Sequence, residues 1–483
     1  MDKFFKLKEN QTSVKQEVIA GITTFVSMAY VFFLNPQILS QAGMSQLAVF
    51  IAAIIVAVFG TLLMGLYANV PFALAPGIGM QAYFTYTIVF GFGFKWQQAL
   101  AIVFLVGMLD IVITLTHGRQ AIVKAIPTEL KAAIGGGLGV FVTYIGLKNA
   151  GFINFVISGS NIISVNDKPY AGGTVKGGLD SLLASGGVTP ELTKFIQASA
   201  LLALIGLLIL TFLVIRKVPG AFLITLIATT LIGIPMGVTN THLSAATSLP
   251  NAFGEFGHTF GAAFGAHGMG TLWSSWPQAS LAIVTVFAMG LTGLFDAIGT
   301  LIGIGNQTGI FSKEDQEAFV ADNSFNSKMD KALVVDTFTT TLAGVVGTSN
   351  TTTFIESATG VAAGGRTGLT NIVTALGFLA MLFLSPLVSV IPTAATAPLL
   401  IVVGIMMMGE FKKIDWSDLA VAIPAFFTSI FMGFSFSISY GIAAGFIFYI
   451  VVKVAQGKWK ELSPILLVIT AFFLANFILL AFI

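Results

Sequence analysis

Long apolar runs separated by short polar connections occupy most of the chain. Fifteen runs can be distinguished, near residues 17–40, 47–66, 71–92, 97–117, 129–147, 197–215, 219–237, 277–305, 332–347, 351–363, 369–390, 394–409, 418–432, 436–455 and 463–482. About twenty apolar residues cross the hydrocarbon core of a bilayer as a helix. The first fourteen runs therefore predict transmembrane segments, although 351–363 and 418–432 are too short to span as regular helices. The last run predicts either a fifteenth span or an interfacial helix.

Lysine and arginine mark alternate connections between these segments. They occur before segment 1 and after the even-numbered segments, for example Arg119 after segment 4, Arg216 after segment 6 and Lys412 after segment 12. The odd-numbered connections 41–46, 238–276 and 391–393 contain neither residue type, and those at 93–96 and 148–196 contain a few. Cytoplasmic loops are enriched in Lys and Arg. The pattern predicts a multi-pass membrane protein with fourteen crossings and a cytoplasmic N-terminus.

A short internal repeat divides the chain into two halves. The sequence Ile-Pro-Thr opens segment 5 at residues 126–128 and segment 12 at residues 391–393, on opposite sides of the membrane. Because seven is an odd number, a second set of seven segments must be inverted, as in many secondary transporters. The predicted organisation is a first repeat, an extracytoplasmic loop, a second inverted repeat and a C-terminal hydrophobic segment, at residues 1–237, 238–276, 277–455 and 456–483.

Segments 3 and 10 are interrupted at corresponding places. Segment 3 reads NVPFALAPGIGMQAYF over residues 69–84, and segment 10 reads GTSNTTTFIESATGVAAGG over residues 347–365. Pro71 and Pro76 remove regular helix hydrogen bonds, and the three threonines at 351–353 favour extended backbone. Unwound backbone at membrane depth is tolerated where protein or a cavity satisfies it. Paired interruptions of this kind indicate a substrate site between the two halves.

Composition agrees with a lipid environment. Of the 483 residues, 56% are hydrophobic and 9% are charged, whereas soluble domains carry about 25% charged residues. The net charge of +2 provides no basic field for nucleic acid. The chain has no cysteine and no histidine pair at helical metal-ligand spacing, so no metal or other cofactor is expected. The charged start has no cleavable signal pattern, and segment 1 is expected to direct insertion.

Carboxylates inside the segments are few and therefore informative. Glu356 follows the break in segment 10, where a carboxylate can accept hydrogen bonds from the N–H edge of a planar amide-like ring. Asp296 lies midway along segment 8 and can exchange a proton with a cavity. Asp336 in segment 9 is equally consistent with a functional group and with an interhelical polar contact. Asp110 and Arg366 are interpreted as mainly structural.

Other residues near the two breaks can contact a ring-shaped substrate. Gln81 offers both a donor and an acceptor, which suits a purine or pyrimidine edge, and it is expected to face Glu356 if the half-helices meet. Aromatic rings can stack on such a substrate. The candidates are Phe25, Tyr30, Phe84 and Phe354.

Five stretches resemble the AzgA-like purine permeases of the nucleobase–cation symporter superfamily. They are TTFVSMAYVFFLNPQIL (23–39), ANVPFALAPGIGMQAYF (68–84), GLFDAIGTLIG (293–303), GTSNTTTFIESATGVAAGGRTGLT (347–370) and FSFSISYGIAAGFI (434–447). The resemblance covers essentially the whole chain. It implies an all-α, uracil-symporter-like fold of fourteen segments in two inverted repeats, with core and gate domains and a short strand in segments 3 and 10. It also implies proton symport of adenine, guanine or hypoxanthine, with the substrate between core and gate. Many relatives of the fold form homodimers through the gate.

Two positions depart from the family pattern. Glu356 matches the family glutamate of segment 10, and Asp296 matches the aspartate of the LFD motif. Gln81 stands where asparagine is usual, and Gly293 stands where aspartate or asparagine usually precedes LFD. The longer amide at 81 could reach into the space vacated at 293. Which purine is carried stays open.

The sequence thus predicts a proton-coupled purine permease of the cell membrane. Glu356 would bind the ring, with Gln81, Gly79, Thr353 and Phe354 completing the contacts, and Asp296 together with Glu356 would support proton coupling. An anion carrier on the same fold is an alternative, but Glu356 would repel an anion. An intramembrane enzyme would need a nucleophile–base pair or a metal cluster, which the sequence does not offer. A channel is the third alternative.

Overall fold

The computed structural model describes residues 2–116, 125–157, 164–165, 168–169, 188–241, 248–312, 315 and 327–481. Its α-helices in chain order are α1 (Asp2–Phe5), α2 (Val14–Met28), α3 (Val31–Gln41), α4 (Gln46–Leu63), α5 (Ile78–Ala82), α6 (Trp96–Leu115), α7 (Thr128–Asn149), α8 (Ala198–Ile215), α9 (Ala221–Ile232), α10 (Leu249–Thr259), α11 (Trp276–Thr308), α12 (Lys328–Val346), α13 (Ser357–Ala362), α14 (Gly368–Ala380), α15 (Thr393–Met407), α16 (Leu419–Phe434), α17 (Ile438–Ala455) and α18 (Pro464–Ala481). Every predicted apolar segment contains a helix. Arg119 lies outside the described residues.

Within this part of the chain, nine helical stretches are long and apolar enough to cross a membrane. They are Val14–Gln41, Gln46–Ala68, Trp96–Leu115, Thr128–Asn149, Ala198–Ile215, Trp276–Gly305, Gly368–Leu387, Thr393–Lys413 and Ile438–Ala455. Shorter apolar helices lie at Ala221–Ile232, Leu419–Phe434 and Pro464–Ala475. The predicted polytopic helical fold is confirmed. The last of the shorter helices belongs to α18, which packs against α11 and α17.

Local sequence explains where several helices begin and end. The Ser13 and Ser275 hydroxyls each accept a hydrogen bond from a backbone N–H in the first turn of α2 and α11. Such caps satisfy donors that a helix start leaves free. The left-handed residues Gly309 and Gly347 follow α11 and α12, a conformation that glycine adopts without steric cost.

The helices pack in two groups. In the first group, which we call the core, α6 packs against α12, α14 packs against α2 and α4, and α11 packs against α6 and α13. In the second group, which we call the gate, α7 packs against α15 and α16, α16 packs against α17, and α8 packs against α9 and α15. Segments 1–4 and 8–11 therefore form the core, and segments 5–7 and 12–14 form the gate. This division confirms the expected uracil-symporter-like arrangement.

Small residues permit close helix crossings inside the core. A Cβ added at Gly107 of α6 would lie 2.4 Å from the Thr341 backbone nitrogen of α12. One added at Gly344 of α12 would lie 2.5 Å from the Phe104 backbone nitrogen of α6. Only glycine allows two backbones to approach this closely. These reciprocal contacts account for part of the high glycine content.

Among the described residues, six short strands form three antiparallel pairs. Their bounds are β1 (Leu74–Pro76), β2 (Ile153–Ile157), β3 (Ser164–Val165), β4 (Lys168–Pro169), β5 (Val188–Leu192) and β6 (Thr351–Thr353). The pairs are β1 with β6, β2 with β5, and β3 with β4. The four strands β2–β5 lie in the connection between α7 and α8. Strand β1 belongs to segment 3 and β6 to segment 10, as predicted.

Candidate functional site

The two interrupted segments meet in the middle of the core. In the antiparallel pair, Leu74 lies opposite Thr353 and Pro76 lies opposite Thr351. The Gly77 backbone N–H extends the pairing by donating to the Asn350 carbonyl oxygen at 2.9 Å. After the strands the chain turns into half-helix α5 on one side and half-helix α13 on the other. The strand pair therefore brings the starts of both half-helices to one place, which the local sequence could not specify.

Glu356 lies immediately before half-helix α13. Its Oε1 accepts a hydrogen bond of 2.8 Å from the Tyr30 hydroxyl of segment 1. Its backbone carbonyl accepts hydrogen bonds from the backbone N–H and the hydroxyl of Thr359, at 3.0 and 2.6 Å. The residue is half-buried. The carboxylate is thus oriented by Tyr30.

Asp296 of α11 is attached to the strand of segment 10. Its Oδ2 accepts a hydrogen bond of 3.0 Å from the Thr352 hydroxyl, and the residue is half-buried. Thr352 is four residues from Glu356. The structure therefore brings to one strand-and-half-helix unit the two carboxylates that the sequence singled out.

Gln81 is hydrogen-bonded to the backbone of its own segment. Its Nε2 donates a hydrogen bond of 2.8 Å to the Pro76 carbonyl oxygen, and its side chain is fully buried. The turn from strand to half-helix leaves this carbonyl inside the protein, where a buried acceptor needs a donor. The Gln81 Oε1 has no hydrogen-bond partner among the described residues. In the part of the chain that the structure describes, the Gln81 Oε1 is therefore a buried acceptor without a partner beside the break in segment 3.

Gly79, Thr353 and Phe354 surround the same break. A Cβ at Gly79 would lie 2.4 Å from Leu138 Cδ2 of α7, so glycine permits contact between the core half-helix and the gate. The Thr353 hydroxyl is buried and has no hydrogen-bond partner within the described residues. The Phe354 backbone N–H donates to the Ala73 carbonyl oxygen at 3.1 Å, and its ring is buried. These residues stay candidates for substrate contact.

The other aromatic candidates are already packed against protein. Tyr30 is fully buried, and its ring stacks on Phe222 at a centroid distance of 4.8 Å. Phe25 packs against Phe378 at a centroid distance of 6.2 Å, and Phe84 is fully buried. Tyr30 therefore contributes its hydroxyl to the site and its ring to a contact with the gate helix α9.

Gly293 has room for a Cβ. The nearest heavy atom to a Cβ built at Gly293 is Asn350 Nδ2, at 3.8 Å. This distance is an ordinary van der Waals contact, so a Cβ at this position displaces no neighbour. Close helix packing is therefore not the reason for glycine at this position.

Two further carboxylates lie behind the strands. Asp110 of α6 and Asp336 of α12 are each 5% exposed, and one oxygen of each has no hydrogen-bond partner within the described residues. A Cβ at Gly290 would lie 3.2 Å from the Asp110 Oδ1. The Thr351 hydroxyl lies 3.5 Å from the Asp336 carbonyl oxygen. Within the described residues no group of three or more His, Cys, Asp or Glu side chains is placed to hold a metal ion.

Sequence reasoning missed Glu17. This residue is fully buried at the start of α2. Its carboxylate accepts hydrogen bonds from the backbone N–H groups of Arg366, Thr367 and Thr370, at 2.9, 3.4 and 3.1 Å. The Arg366 guanidinium in turn donates to the Val361 carbonyl oxygen at 2.8 Å. Together they fix the connection from α13 to α14, and the signal was an acidic residue inside the first segment.

Two interrupted segments that meet inside a core packed against a gate define a membrane transporter rather than an enzyme. The model of the Xan_ur_permease family, described as a permease family, matches residues 15–175 and 174–444. The chain belongs to this family.

Two permeases of known substrate class match this chain over nearly its full length and theirs. The chain is 35% identical to adenine permease AdeP of Escherichia coli (strain K12), covering 99% of this chain and 96% of that protein. It is 38% identical to guanine/hypoxanthine permease PbuO of Bacillus subtilis (strain 168), covering 98% of this chain and 100% of that protein. The transmembrane domain of a cyanobacterial bicarbonate transporter, BicA, shares the fold with a TM-score of 0.55 at 17% identity, covering 92% of this chain and 97% of that one.

Proposed function

We propose that this protein imports a purine nucleobase by proton symport. The observation that carries the proposal is a half-buried carboxylate, Glu356, held by Tyr30 where the two half-helices begin. A purine ring presents N–H donors along one edge, and a carboxylate accepts them through charge-assisted hydrogen bonds. The names of the relatives, an adenine permease and a guanine/hypoxanthine permease, support this substrate class.

Unpaired polar atoms beside the two breaks can complete the recognition of the ring. The Gln81 Oε1 and the Thr353 hydroxyl are buried without partners in the described part of the chain. Buried polar atoms of this kind lose free energy unless they are hydrogen-bonded. A base bound beside Gly79 and Phe354 would supply partners, with the apolar ring face against Phe354.

Proton coupling is assigned to Asp296 and Glu356. Both lie in the core at membrane depth, and both are half-buried. Ionisable side chains inside membrane segments commonly belong to proton relays. Thr352 connects Asp296 to the strand that leads to Glu356, so protonation of one group can affect the geometry at the other.

Contacts on the predicted outer side hold core and gate together. The Gln37 Nε2 donates to the Ile391 carbonyl oxygen at 2.6 Å, and the Tyr83 and Ser439 hydroxyls are hydrogen-bonded to each other. Contacts of this kind support a transport cycle in which the core moves against the gate and breaks them.

We further assign the protein to the cell membrane, with a cytoplasmic N-terminus and with homodimerisation through the gate. The positions of Lys and Arg support this orientation. The exposed apolar residues Phe426 and Leu419 on α16 of the gate suit contact with lipid or with a second copy. Crosslinking of the protein in membranes distinguishes these two uses of the surface.

Transport by purified protein in liposomes tests the proposed function. An inwardly directed proton gradient is expected to drive accumulation of radiolabelled adenine, guanine or hypoxanthine, and a protonophore is expected to abolish it. Competition among these bases, xanthine and uracil identifies the substrate. Accumulation that needs a Na⁺ gradient would refute proton coupling. Uptake of bicarbonate or sulfate without any purine would favour the anion carrier, and equilibration without accumulation would favour a channel.

Specificity is expected to depend jointly on positions 81 and 293. Gln81→Asn should weaken uptake, because the shorter amide cannot reach the Pro76 carbonyl and leaves a buried acceptor unpaired. Adding Gly293→Asp or Gly293→Asn to Gln81→Asn should partly restore uptake or change the preferred purine, since a Cβ at position 293 meets Asn350 only at 3.8 Å. Coupling between residues that share one ligand is roughly 0.5–3 kcal/mol.

Initial uptake rates and membrane abundance of both single variants and the double variant measure this coupling. The Gly293 variants alone should reach the membrane at wild-type levels. Strictly multiplicative effects on uptake, with the same ranking of purines, would show that the two positions act independently.

A further inference from the structure

Tyr30 connects the candidate substrate site to the gate. Its hydroxyl donates to the Glu356 Oε1 at 2.8 Å. Its ring stacks on Phe222 of α9, with centroids 4.8 Å apart and planes inclined by 21°. The side chain is 0% exposed, so these contacts leave no surface of the ring for a substrate. One side chain therefore contacts both the core carboxylate and the gate.

A second contact places the start of α9 firmly against segment 1. A Cβ built at Gly220 would lie 2.5 Å from Val26 Cγ1, and Gly220 has a left-handed φ of 72°. Val26 and Tyr30 are four residues apart and so lie on one face of segment 1. The gate helix α9 therefore contacts segment 1 at two places one helical turn apart, at Val26 and at Tyr30. A displacement of α9 relative to segment 1 changes both contacts.

The half-helix that follows Glu356 is attached to the core instead. The Ser27 and Thr359 hydroxyls are 3.0 Å apart and hydrogen-bonded. Gly360 packs against Thr24, whose Oγ1 would lie 2.0 Å from a Cβ at that glycine. The backbone of α13 is therefore fixed to α2 whatever the gate does. Within the part of the chain that the structure describes, the hydrogen bond from Tyr30 connects the Glu356 carboxylate to a side chain that packs against the gate.

We infer that Tyr30 is a positioning residue that makes the orientation of the Glu356 carboxylate depend on the position of the gate. When α9 moves away from segment 1, the stack with Phe222 is lost and the Tyr30 hydroxyl is no longer held against Glu356. The carboxylate then binds the base less tightly in that conformation than in the one described here. The inference rests on the proposed function, because it takes Glu356 as the group that binds the base.

Equilibrium binding of radiolabelled adenine and hypoxanthine to the purified full-length protein tests this inference. Tyr30→Phe keeps the ring and removes the hydroxyl, and it is expected to raise Kd about tenfold, as for loss of a hydrogen bond to a charged group. Phe222→Leu removes the stack and keeps the hydroxyl, and it is expected to raise Kd about threefold. The double variant is expected to match Tyr30→Phe alone, since without the hydroxyl the ring position no longer affects Glu356.

Phe25→Leu is the matched control on the same helix. It removes the contact with Phe378, which lies within the core. The factor by which it changes Kd is expected to multiply with the factor for Tyr30→Phe. If Tyr30→Phe does not fold, Phe222→Tyr, which keeps the stack, should bind as wild type while Phe222→Leu does not.

Three outcomes would overturn the inference: an unchanged Kd for Tyr30→Phe, equal Kd values for Phe222→Tyr and Phe222→Leu, or multiplicative effects of Tyr30→Phe and Phe222→Leu. Failure of the wild-type protein to bind or transport any base would refute the proposed function itself. The two failures are therefore distinguishable.

Discussion

Replacing Glu356 with Gln is expected to weaken purine binding roughly ten- to hundredfold while the protein still folds. The substitution preserves shape but turns a charged acceptor into a neutral amide. A hydrogen bond to a charged group contributes about 1.5–3 kcal/mol, and each 1.4 kcal/mol corresponds to about a factor of ten in affinity. The Tyr30 hydroxyl can still donate to the amide oxygen of Gln, so the local fold should be retained. Equilibrium binding of radiolabelled bases measures the loss.

Glu461→Gln provides the matched control for this prediction. Glu461 is exposed beyond the end of α17 and forms a 2.6 Å salt bridge with Lys453. Exposed ion pairs contribute little to stability, and this one is not part of the proposed site. Its substitution should leave Kd unchanged. Wild-type binding by Glu356→Gln, with normal size-exclusion behaviour, would remove Glu356 from the site.

Replacing Asp296 with Asn is expected to abolish accumulation while preserving exchange. The Asn side chain can still accept the hydrogen bond from Thr352, so the strand keeps its contact with α11. The Asn side chain cannot take up a proton. The base is then expected to cross the membrane without a coupled proton. In a one-to-one symport, a gradient of one pH unit supports about tenfold accumulation, because one unit corresponds to about 1.36 kcal/mol. The Asp296→Asn variant should equilibrate the base and accumulate none.

Two assays on the same proteoliposomes separate these activities. Counterflow of labelled against unlabelled base reports exchange, and uptake under an imposed proton gradient reports accumulation. Asp415→Asn is the control. Hydrogen bonds from the Ser417 hydroxyl and backbone N–H lower the pKa of Asp415, so this exposed carboxylate stays charged at neutral pH and takes no proton. Wild-type accumulation by Asp296→Asn would exclude Asp296 as the coupling group.

The sequence predicted the helices because lipid imposes a simple rule on every span. Backbone groups must be satisfied within the helix, and side chains facing lipid must be apolar. Length and apolarity therefore identified segments such as Trp96–Leu115 and Ile438–Ala455. The two interruptions were predicted for the same reason. Prolines at 71 and 76 and threonines at 351–353 cannot form an ordinary spanning helix, and the structure has strands at 74–76 and 351–353.

The candidate site was predicted only in part. Glu356 and Asp296 could be recognised because a carboxylate at membrane depth is rare. Gln81 was recognised as polar, but its hydrogen bond to the Pro76 carbonyl was not predicted, because that carbonyl becomes available only when the strand turns into the half-helix. Glu17 was missed because the N–H groups that it accepts from belong to residues 366–370.

By itself, therefore, the chain determined which segments enter the membrane, where two of them break and which charged groups lie at the breaks. These features follow from the cost of exposing polar groups to lipid, which acts on each segment separately. The tertiary structure decided which groups face one another. Tyr30 meets Glu356 across 326 positions of sequence and meets Phe222 in a different helical group. Such contacts depend on how helices and strands pack in three dimensions, and no local pattern of apolar and polar residues encodes them.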